Sequence, residues 1–110
     1  KMLSVMDYMN RHYFEPLQTE ELAAHCGLSK YHFIHLFRMC TGMTPYAYLI
    51  RIRMERAQTL LQTGDMTVQE VAFVCGYQDP LYFSRAFSKH FGISPTDCKQ
   101  RFFSENKQDI

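Results

Sequence analysis

Tryptophan is absent from this 110-residue sequence, and glycine and proline are scarce, with five and four residues. The scarcity of glycine and proline excludes collagen-like and low-complexity chains. No run approaches the roughly 18 consecutive apolar residues of a membrane-spanning helix, and no signal-peptide pattern is found. We therefore expect a folded chain with no membrane partner and a cytoplasmic location.

Cysteine is also scarce, and its four positions show no close pairing. All four lie in apolar segments of helical pattern: Cys26, Cys40, Cys75 and Cys98. Reduced thiols in a cytoplasmic protein fit this arrangement better than a disulfide framework does. The sequence opens with Lys1 rather than methionine, from which we expect a fragment of a longer protein.

The sequence has no strong net charge of either sign, and its formal net charge is only +1. On its own this value argues weakly against a nucleic-acid partner. The distribution is less even, since residues 30–101 hold nine Lys or Arg against five Asp or Glu. A basic face is therefore compatible with the sequence, although charge alone does not establish it.

Two short helices around a glycine turn are predicted in the second half of the chain. Thr67 and Glu70 have the spacing of a capping box at a helix start. Gly76 follows where a residue with positive φ is needed, and Asp79 and Pro80 supply a cap and a first residue for the next helix. Helix, glycine turn and helix form the pattern of a helix-turn-helix, whose second helix can lie in the DNA major groove.

This pattern occurs twice in the sequence. Five residues recur 49 positions later: Glu21, Leu22, Ala23, Cys26 and Gly27 as Glu70, Val71, Ala72, Cys75 and Gly76. Six more recur 50 positions later: Ser29, Phe33, Phe37, Gly42, Thr44 and Pro45 as Asp79, Phe83, Phe87, Gly92, Ser94 and Pro95. The change of interval indicates one inserted residue in the second turn. Only two copies are present, which favours tandem helix-turn-helix units over a solenoid array.

The second helix of each unit, called the reading helix from here on, has an inward and an outward side. The first reading helix is predicted from Lys30 to Thr41, after a capping Ser29. Helical periodicity directs these residues inward: Phe33, Leu36, Phe37, Cys40, Phe83, Ala86 and Phe87. It directs these residues outward: Tyr31, Ile34, His35, Arg38, Leu81, Ser84, Arg85 and Ser88. The outward apolar groups require a partner.

A long helix is predicted to join the two units, from Pro45 to about Gln62. Its apolar stripe consists of Tyr46, Leu49, Ile50, Ala57, Leu60 and Leu61. Arg53 falls within this stripe, where its guanidinium must find a partner because an unpaired buried charge is prohibitive. We therefore interpret Arg53 as a structural clamp, and we expect Arg51 and Arg56, which lie outside the centre of the stripe, to contact phosphate.

The remaining segments are predicted to be helical up to a short tail. A stripe at helical spacing indicates a first helix: Met2, Val5, Met6, Met9 and Tyr13. Thr19 is expected to cap a second helix that ends at Cys26, and Pro95 to open a last helix that reaches Phe103. Residues 104–110 are expected to form a polar tail.

The sequence therefore predicts an all-α fold of about seven helices and no strands. Two helix-turn-helix subdomains are joined by a long linker helix. The predicted boundaries are 1–43 for the first subdomain, 44–63 for the linker helix, 64–103 for the second subdomain and 104–110 for the tail.

A metal site and an enzyme are both weakly supported. His25, Cys26, His32 and His35 lie near one another in sequence, and imidazole and thiolate ligands suit zinc. Cys26 recurs as Cys75 without any partner histidines, however, which indicates a small core residue. No histidine–carboxylate–nucleophile set and no phosphate-cradling glycine loop occurs. We expect no metal, no cofactor and no catalysis.

Two segments carry a resemblance to a known family: EELAAHCGLSKYHFIHLFRMCTGMTPYAYLIRIRMERAQTLL and TVQEVAFVCGYQDPLYFSRAFSKHFGISP. They resemble the DNA-binding domain of the AraC/XylS family of bacterial transcription regulators. The resemblance covers residues 4 to 101. Its most specific parts are the Ala-x-x-x-Gly turns, Phe-Ser-Arg-x-Phe at residues 83–87 and Phe-Gly-x-Ser-Pro at residues 91–95.

The resemblance implies two helix-turn-helix subdomains held by a rigid helix, bound to double-stranded promoter DNA and usually activating transcription. It also implies a separate sensory or dimerisation domain in the full-length protein, and RNA polymerase as a partner. Leu81 stands where a small polar residue is commoner in the family. Cys98 and Lys99 replace the Tyr-Arg that often follows the final Ser-Pro, so no contact is carried over to those positions.

The family's base-reading positions correspond here to Tyr31, Ile34, His35, Leu81, Tyr82 and Arg85. Phosphate contacts are expected from Lys30, Arg38, Arg51, Arg56, Ser84, Ser88 and Lys89. The rival interpretation is a helical protein-interaction module that docks a partner through the exposed Tyr31, Ile34 and Leu81. Steep loss of DNA affinity with salt would separate the two, because phosphate neutralisation releases counterions.

Overall fold

The computed structural model describes the backbone of residues 1–108 and the side chains of residues 1–101. Within that part of the chain there are seven helices and no strands, which confirms the predicted all-α class. The helices are α1 (Met2–Arg11), α2 (Thr19–His25), α3 (Lys30–Thr41), α4 (Pro45–Thr63), α5 (Val68–Val74), α6 (Pro80–Phe91) and α7 (Pro95–Gln108). The reading helices are α3 and α6.

Two compact units make up the chain, residues 1–52 and a second unit that begins at Arg53. The boundary falls inside α4, so each unit combines one helix-turn-helix with the part of α4 that is nearer in sequence. The linker helix therefore supplies core residues to both units instead of forming a body of its own.

The core of the first unit is built from α1, α2, α3 and the first part of α4. Its buried members are Val5, Met9, Leu22, Ala23, Cys26, Phe33, Phe37 and Leu49. The predicted stripe of α1 is confirmed, because Val5 and Met9 are buried and Met2 and Met6 pack partly buried against this core. Tyr13 also packs there, although it follows the end of α1 at Arg11.

The second unit buries an equivalent set of apolar residues. They are Met54, Ala57, Leu61, Val71, Ala72, Cys75, Tyr77, Phe83, Phe87 and Cys98. Met54 is not part of the predicted stripe of α4, yet it is fully buried, as are Ala57 and Leu61 one and two helical turns later. Each phenylalanine pair of the repeat is completely buried, so the two units use the same pair of ring positions to anchor their reading helices.

Two residues predicted to point inward are exposed. Cys40 lies in the last turn of α3, one turn beyond the buried Phe37, and Tyr46 lies in the first turn of α4 and is 62% exposed. Both are at helix ends, where the apolar stripe extends past the core that it covers. Helical periodicity gives the direction of a side chain but not the length of the core.

The predicted cap of α2 is wrong. Thr19 is the first residue of α2, the N-cap is Gln18, and no side chain caps the helix start. Glu20 and Glu21 occupy the first turn instead, where negative charge interacts favourably with the helix dipole. The helix ends at His25, one residue before the predicted Cys26.

The last helix is longer than predicted. α7 begins at Pro95 as expected but continues to Gln108. Residues 104–108, which were predicted to belong to a polar tail, are therefore helical, and residues 109–110 of that predicted tail lie outside the described residues.

Candidate nucleic-acid interface

The start of α5 is fixed by reciprocal hydrogen bonds. The Thr67 hydroxyl accepts from the backbone N–H of Glu70 at 3.1 Å, and the Glu70 carboxylate accepts from the backbone N–H of Thr67 at 3.0 Å. The predicted capping box is thus confirmed. The backbone hydrogen bond from Thr67, followed by that of its side chain, holds the pKa of the Glu70 carboxyl below 4.5. The Glu70 carboxylate is therefore negatively charged at neutral pH.

The turns after α2 and α5 share one hydrogen bond that closes the turn. The backbone N–H of Leu28 donates to the Ala23 carbonyl at 3.0 Å, and that of Tyr77 donates to the Ala72 carbonyl at 2.9 Å. Leu28 and Tyr77 are 49 residues apart, so the extra residue of the second turn is Gln78, directly before the cap of α6. The repeat in the sequence is thus a repeat of backbone geometry.

Asp79 and Pro80 begin the second reading helix, α6, as predicted. The Asp79 carboxylate accepts from the backbone N–H of Leu81 at 3.0 Å, and Pro80 occupies the first turn. The rings of Phe83 and Phe87 are buried with centroids 5.9 Å apart. The helix is therefore fixed at its start by the cap and along its length by two buried rings.

The outward side of α6 presents the predicted contact residues. Leu81 is 58% exposed and Tyr82 is 53% exposed, and Arg85 and Lys89 are also exposed. Ser84 and Ser88 are half-buried at the edges of this surface. The residues Leu81, Tyr82, Ser84, Arg85, Ser88 and Lys89 are defined from here on as the α6 face. It combines apolar, aromatic, hydroxyl and cationic groups on one rigid helix.

The first reading helix, α3, is built in the same way. The Ser29 hydroxyl accepts from the backbone N–H of His32 at 3.3 Å, which confirms this cap. Phe33 and Phe37 are buried, with ring centroids 5.6 Å apart. The inward anchoring of α3 therefore matches that of α6, while the side chains on its outward side differ.

The outward residues Lys30, Tyr31, Ile34, His35 and Arg38 are defined from here on as the α3 face. Tyr31 is 80% exposed, and Lys30, His35 and Arg38 are exposed too. Ile34 is half-buried, so its apolar side chain is less available than predicted. The charged end of Lys30 already has an intramolecular partner, because Lys30 Nζ lies 3.2 Å from Glu20 Oε1.

The two arginines of α4 that were expected to contact phosphate are exposed. Arg51 belongs to the first unit, where its Nη1 lies 3.9 Å from the Met43 sulfur. Arg56 belongs to the second unit. Both residues also take part in other interactions inside the chain.

Arg53 lies over an aromatic ring of the second unit. Its guanidinium carbon is 5.3 Å from the centroid of Tyr77, which is itself only 6% exposed. Arg53 is half-buried, not fully buried as the predicted stripe suggested. The ring face attracts the cation and covers its apolar plane. Arg53 thus joins α4 to the turn that precedes the second reading helix.

One hydrogen bond that stabilises the second unit could not be predicted from the sequence. Lys99 Nζ donates a hydrogen bond to the Met66 carbonyl at 2.6 Å, across 33 residues of sequence. The bond joins the second turn of α7 to the segment just before the capping box of α5. Family resemblance carried no role over to Lys99, and neither helical periodicity nor local spacing relates it to Met66.

The possible zinc ligands named from the sequence all lie within the described residues. Among those residues, no group of three or more His, Cys, Asp or Glu side chains could hold a metal ion. Burial raises the pKa of the Cys75 thiol to about 11, although Arg53 and Arg56 oppose the shift. At neutral pH Cys75 is therefore protonated and lacks the thiolate that nucleophilic or metal-binding chemistry needs.

None of the helices in the described part of the chain combines the length and the hydrophobicity that a membrane span requires. The chain presents two helix pairs, and in each pair the reading helix is capped by a side chain, anchored by two buried phenylalanines and lined outwardly by polar and apolar groups. This arrangement defines a helix-turn-helix domain.

A family model described as a helix-turn-helix domain matches residues 22–101. The chain belongs to the AraC/XylS family of transcription regulators and corresponds to the DNA-binding domain of that family. The family named from the sequence motifs is therefore confirmed, and so is the predicted architecture of two helix-turn-helix subdomains.

Several known proteins show this similarity. The chain is 43% identical over 94 residues to the MmsAB operon regulatory protein of Pseudomonas aeruginosa, covering 86% of this chain and 31% of that protein. It is 33% identical to the DNA-binding domain of AdpA, solved in complex with a target DNA, with a TM-score of 0.91 over 97% of this chain and 96% of that one. A probable AraC family regulator from Rhodopseudomonas palustris is 29% identical, with a TM-score of 0.81 over 92% of this chain and 95% of that one. The chain thus spans about a third of the MmsAB regulator and nearly all of the AdpA domain.

Proposed function

We propose that this chain binds double-stranded promoter DNA sequence-specifically, with α3 and α6 entering two adjacent major-groove segments. The observation that carries the proposal is the shared construction of the two reading helices. Each is capped by a side chain at its start and anchored by two buried phenylalanines, so its outward face is held rigidly. Rigid presentation favours base reading, because little side-chain or backbone ordering remains to oppose binding.

Within this proposal the two faces have different chemistry. On the α3 face, Tyr31 and His35 contact bases and Ile34 offers a smaller apolar contact. On the α6 face, Arg85 donates to paired acceptors, while Leu81 and Tyr82 provide apolar and aromatic contact. The phosphate contacts come from Lys30, Arg38, Arg51, Arg56, Ser84, Ser88 and Lys89. One chain then reads an asymmetric sequence.

For the full-length protein, the proposal includes RNA polymerase as a partner and a separate sensory or dimerisation domain. The MmsAB operon regulatory protein is named as a regulator, and a similar protein of Staphylococcus xylosus is named as a lactose operon transcription activator. The present chain spans 31% and 37% of those two proteins. We propose that the bacterial protein containing this domain acts in the same way, on DNA in the cytoplasm.

The rival function, a protein-interaction module using Tyr31, Ile34 and Leu81, is less well supported. Tyr31 and Leu81 are exposed as it requires, but Ile34 is half-buried. The family and the AdpA domain similarity both favour DNA as the partner. The exposed apolar groups then have a use in the major groove, where thymine methyl groups offer apolar contact.

A titration of labelled duplex with the chain at several salt concentrations tests the proposal. We expect the logarithm of the association constant to fall linearly with the logarithm of salt, with a slope of about 0.9 per phosphate neutralised. With four to six such contacts the affinity falls by roughly two orders of magnitude or more between 50 and 200 mM salt. Affinity that does not depend on salt would refute DNA binding and support the protein-interaction alternative.

A further inference from the structure

A charged pair joins α2 to the start of the first reading helix. Glu20 Oε1 lies 3.2 Å from Lys30 Nζ, and both side chains remain partly open to solvent, at 62% and 43% exposed. The Lys30 ammonium also lies 5.9 Å from the centroid of the Tyr31 ring. The cation at the first residue of α3 is therefore engaged by a carboxylate and an aromatic ring before any DNA is present.

Glu20 is well suited to hold this cation. A hydrogen bond from its own backbone N–H, then the hydrogen bond and charge of Lys30, lower the pKa of the Glu20 carboxyl. Its negative charge is thus complete at neutral pH. A second acid, Glu21, stands next to it in the same turn of α2 and is exposed.

The second unit has no equivalent pair. The residue 49 positions after Glu20 is Gln69, and the residue 50 positions after Lys30 is Pro80. The turns of the two units are otherwise built alike, so the pair is an addition to the first unit and not a requirement of the fold. We therefore look for the role of the Glu20–Lys30 pair in the function of the first unit's surface.

We propose that Glu20 acts as an electrostatic brake on DNA binding by the first unit, and this rests on the proposed phosphate contact of Lys30. To contact a phosphate, Lys30 must exchange the Glu20 carboxylate for a phosphate oxygen. The carboxylate that it leaves then lies beside the DNA backbone and is repelled by it. The brake is independent of base sequence, because both effects involve only the backbone, and it keeps binding to unrelated DNA weak.

The proposal is tested by equilibrium titration of an unrelated duplex with the wild-type chain and with Glu20→Gln, Lys30→Gln and the double variant. Glu21→Gln is the matched control, since it removes the same charge from the adjacent position. At low salt we expect Glu20→Gln to bind about twofold to fivefold more tightly than Glu21→Gln, the range for release of an exposed ion pair. The gain should shrink as salt screens both partners.

The double variant identifies the route of the effect. In the Lys30→Gln background, the gain of Glu20→Gln over Glu21→Gln should become smaller, because there is no cation left to release and only repulsion between the carboxylate and the DNA backbone remains. An equal gain from Glu20→Gln and Glu21→Gln in the wild-type background, or a gain of Glu20→Gln that is undiminished without Lys30, would overturn the brake. So would a Lys30→Gln variant that binds DNA as tightly as wild type. Absence of any salt-dependent binding by the wild-type chain would instead refute the proposed function, and the brake with it.

Discussion

Arg85 projects from the α6 face one turn beyond Leu81, on a helix that Asp79 caps and two buried phenylalanines brace. Its forked donors match the paired acceptors of guanine in the major groove, whereas Leu81 offers only apolar contact. Lys89 lies one turn farther along the same helix and is exposed. An ammonium is a point charge that suits a phosphate, so the two cations of this face are expected to act differently.

We predict that Arg85→Ala costs about 1–3 kcal/mol on the preferred site and flattens the preference at one base pair. Lys89→Ala, the control for loss of a positive charge, should weaken binding to all sequences alike and reduce the salt slope by about 1. Titration of a panel of single-base-pair variants measures both effects. If Arg85→Ala preserved every base preference of the wild type, Arg85 would be a phosphate contact.

Arg53 shows what a sequence pattern can and cannot specify at a single residue. Its position inside the apolar stripe of α4 indicated an intramolecular partner. The nature of that partner depended on the Tyr77 ring, 24 residues away in a turn, and no local spacing connects the two. The fully buried charge expected from the stripe is replaced by a half-buried guanidinium over a ring face.

We predict that Arg53→Ala lowers the free energy of unfolding by about 1 kcal/mol or somewhat more, as expected for loss of a partly desolvated cation–π contact. Arg53→Lys should recover only part of the loss, because an ammonium lacks the planar surface that stacks on the ring. Denaturant unfolding without DNA measures this effect. A phosphate-binding Arg53 would instead leave unfolding unchanged and reduce the salt slope of DNA binding.

At the scale of elements, the reliable predictions were those that depend on neighbours in sequence. The capping box of α5, the caps of both reading helices and the glycine turns each involve residues within a few positions, and all are present. One local prediction, the cap at Thr19, is wrong, and the other errors lie where tertiary context decides, as at the ends of the α3 and α4 stripes. The bond from Lys99 to Met66 spans 33 residues and could not be found by local reasoning.

The two threonines predicted to cap helices provide a direct comparison of local geometry. Thr67 accepts a hydrogen bond from the backbone of Glu70, whereas Thr19 lies inside α2 and no side chain caps that helix. We predict that Thr67→Ala lowers the free energy of unfolding by about 1 kcal/mol. Thr19→Ala, the matched control, should change it much less, because no cap is removed. Equal losses in thermal or denaturant unfolding would contradict the assignment.

At the scale of the whole molecule, the two units repeat the residues that hold the reading helices in place and differ in the residues of their outward faces. The buried phenylalanine pairs, the side-chain caps of the reading helices and the turn bonds donated by Leu28 and Tyr77 correspond between the units. The outward faces do not, since Tyr31 and His35 of α3 correspond to Leu81 and Arg85 of α6. Both units could be predicted because the residues that hold the reading helices in place occur twice in the sequence. Which bases each face selects depends on contacts with DNA that the sequence does not specify.

Selection of binding sites from random DNA by the wild-type chain is the most direct test of the central claim. We predict enrichment of one asymmetric site with two dissimilar parts, bound by a single chain, because the α3 and α6 faces differ in chemistry. Binding stoichiometry measured on the enriched duplex checks that one chain occupies both parts. Enrichment of no sequence at all, or of a short palindrome occupied only by two chains, would contradict the claim that each chain reads two different major-groove segments.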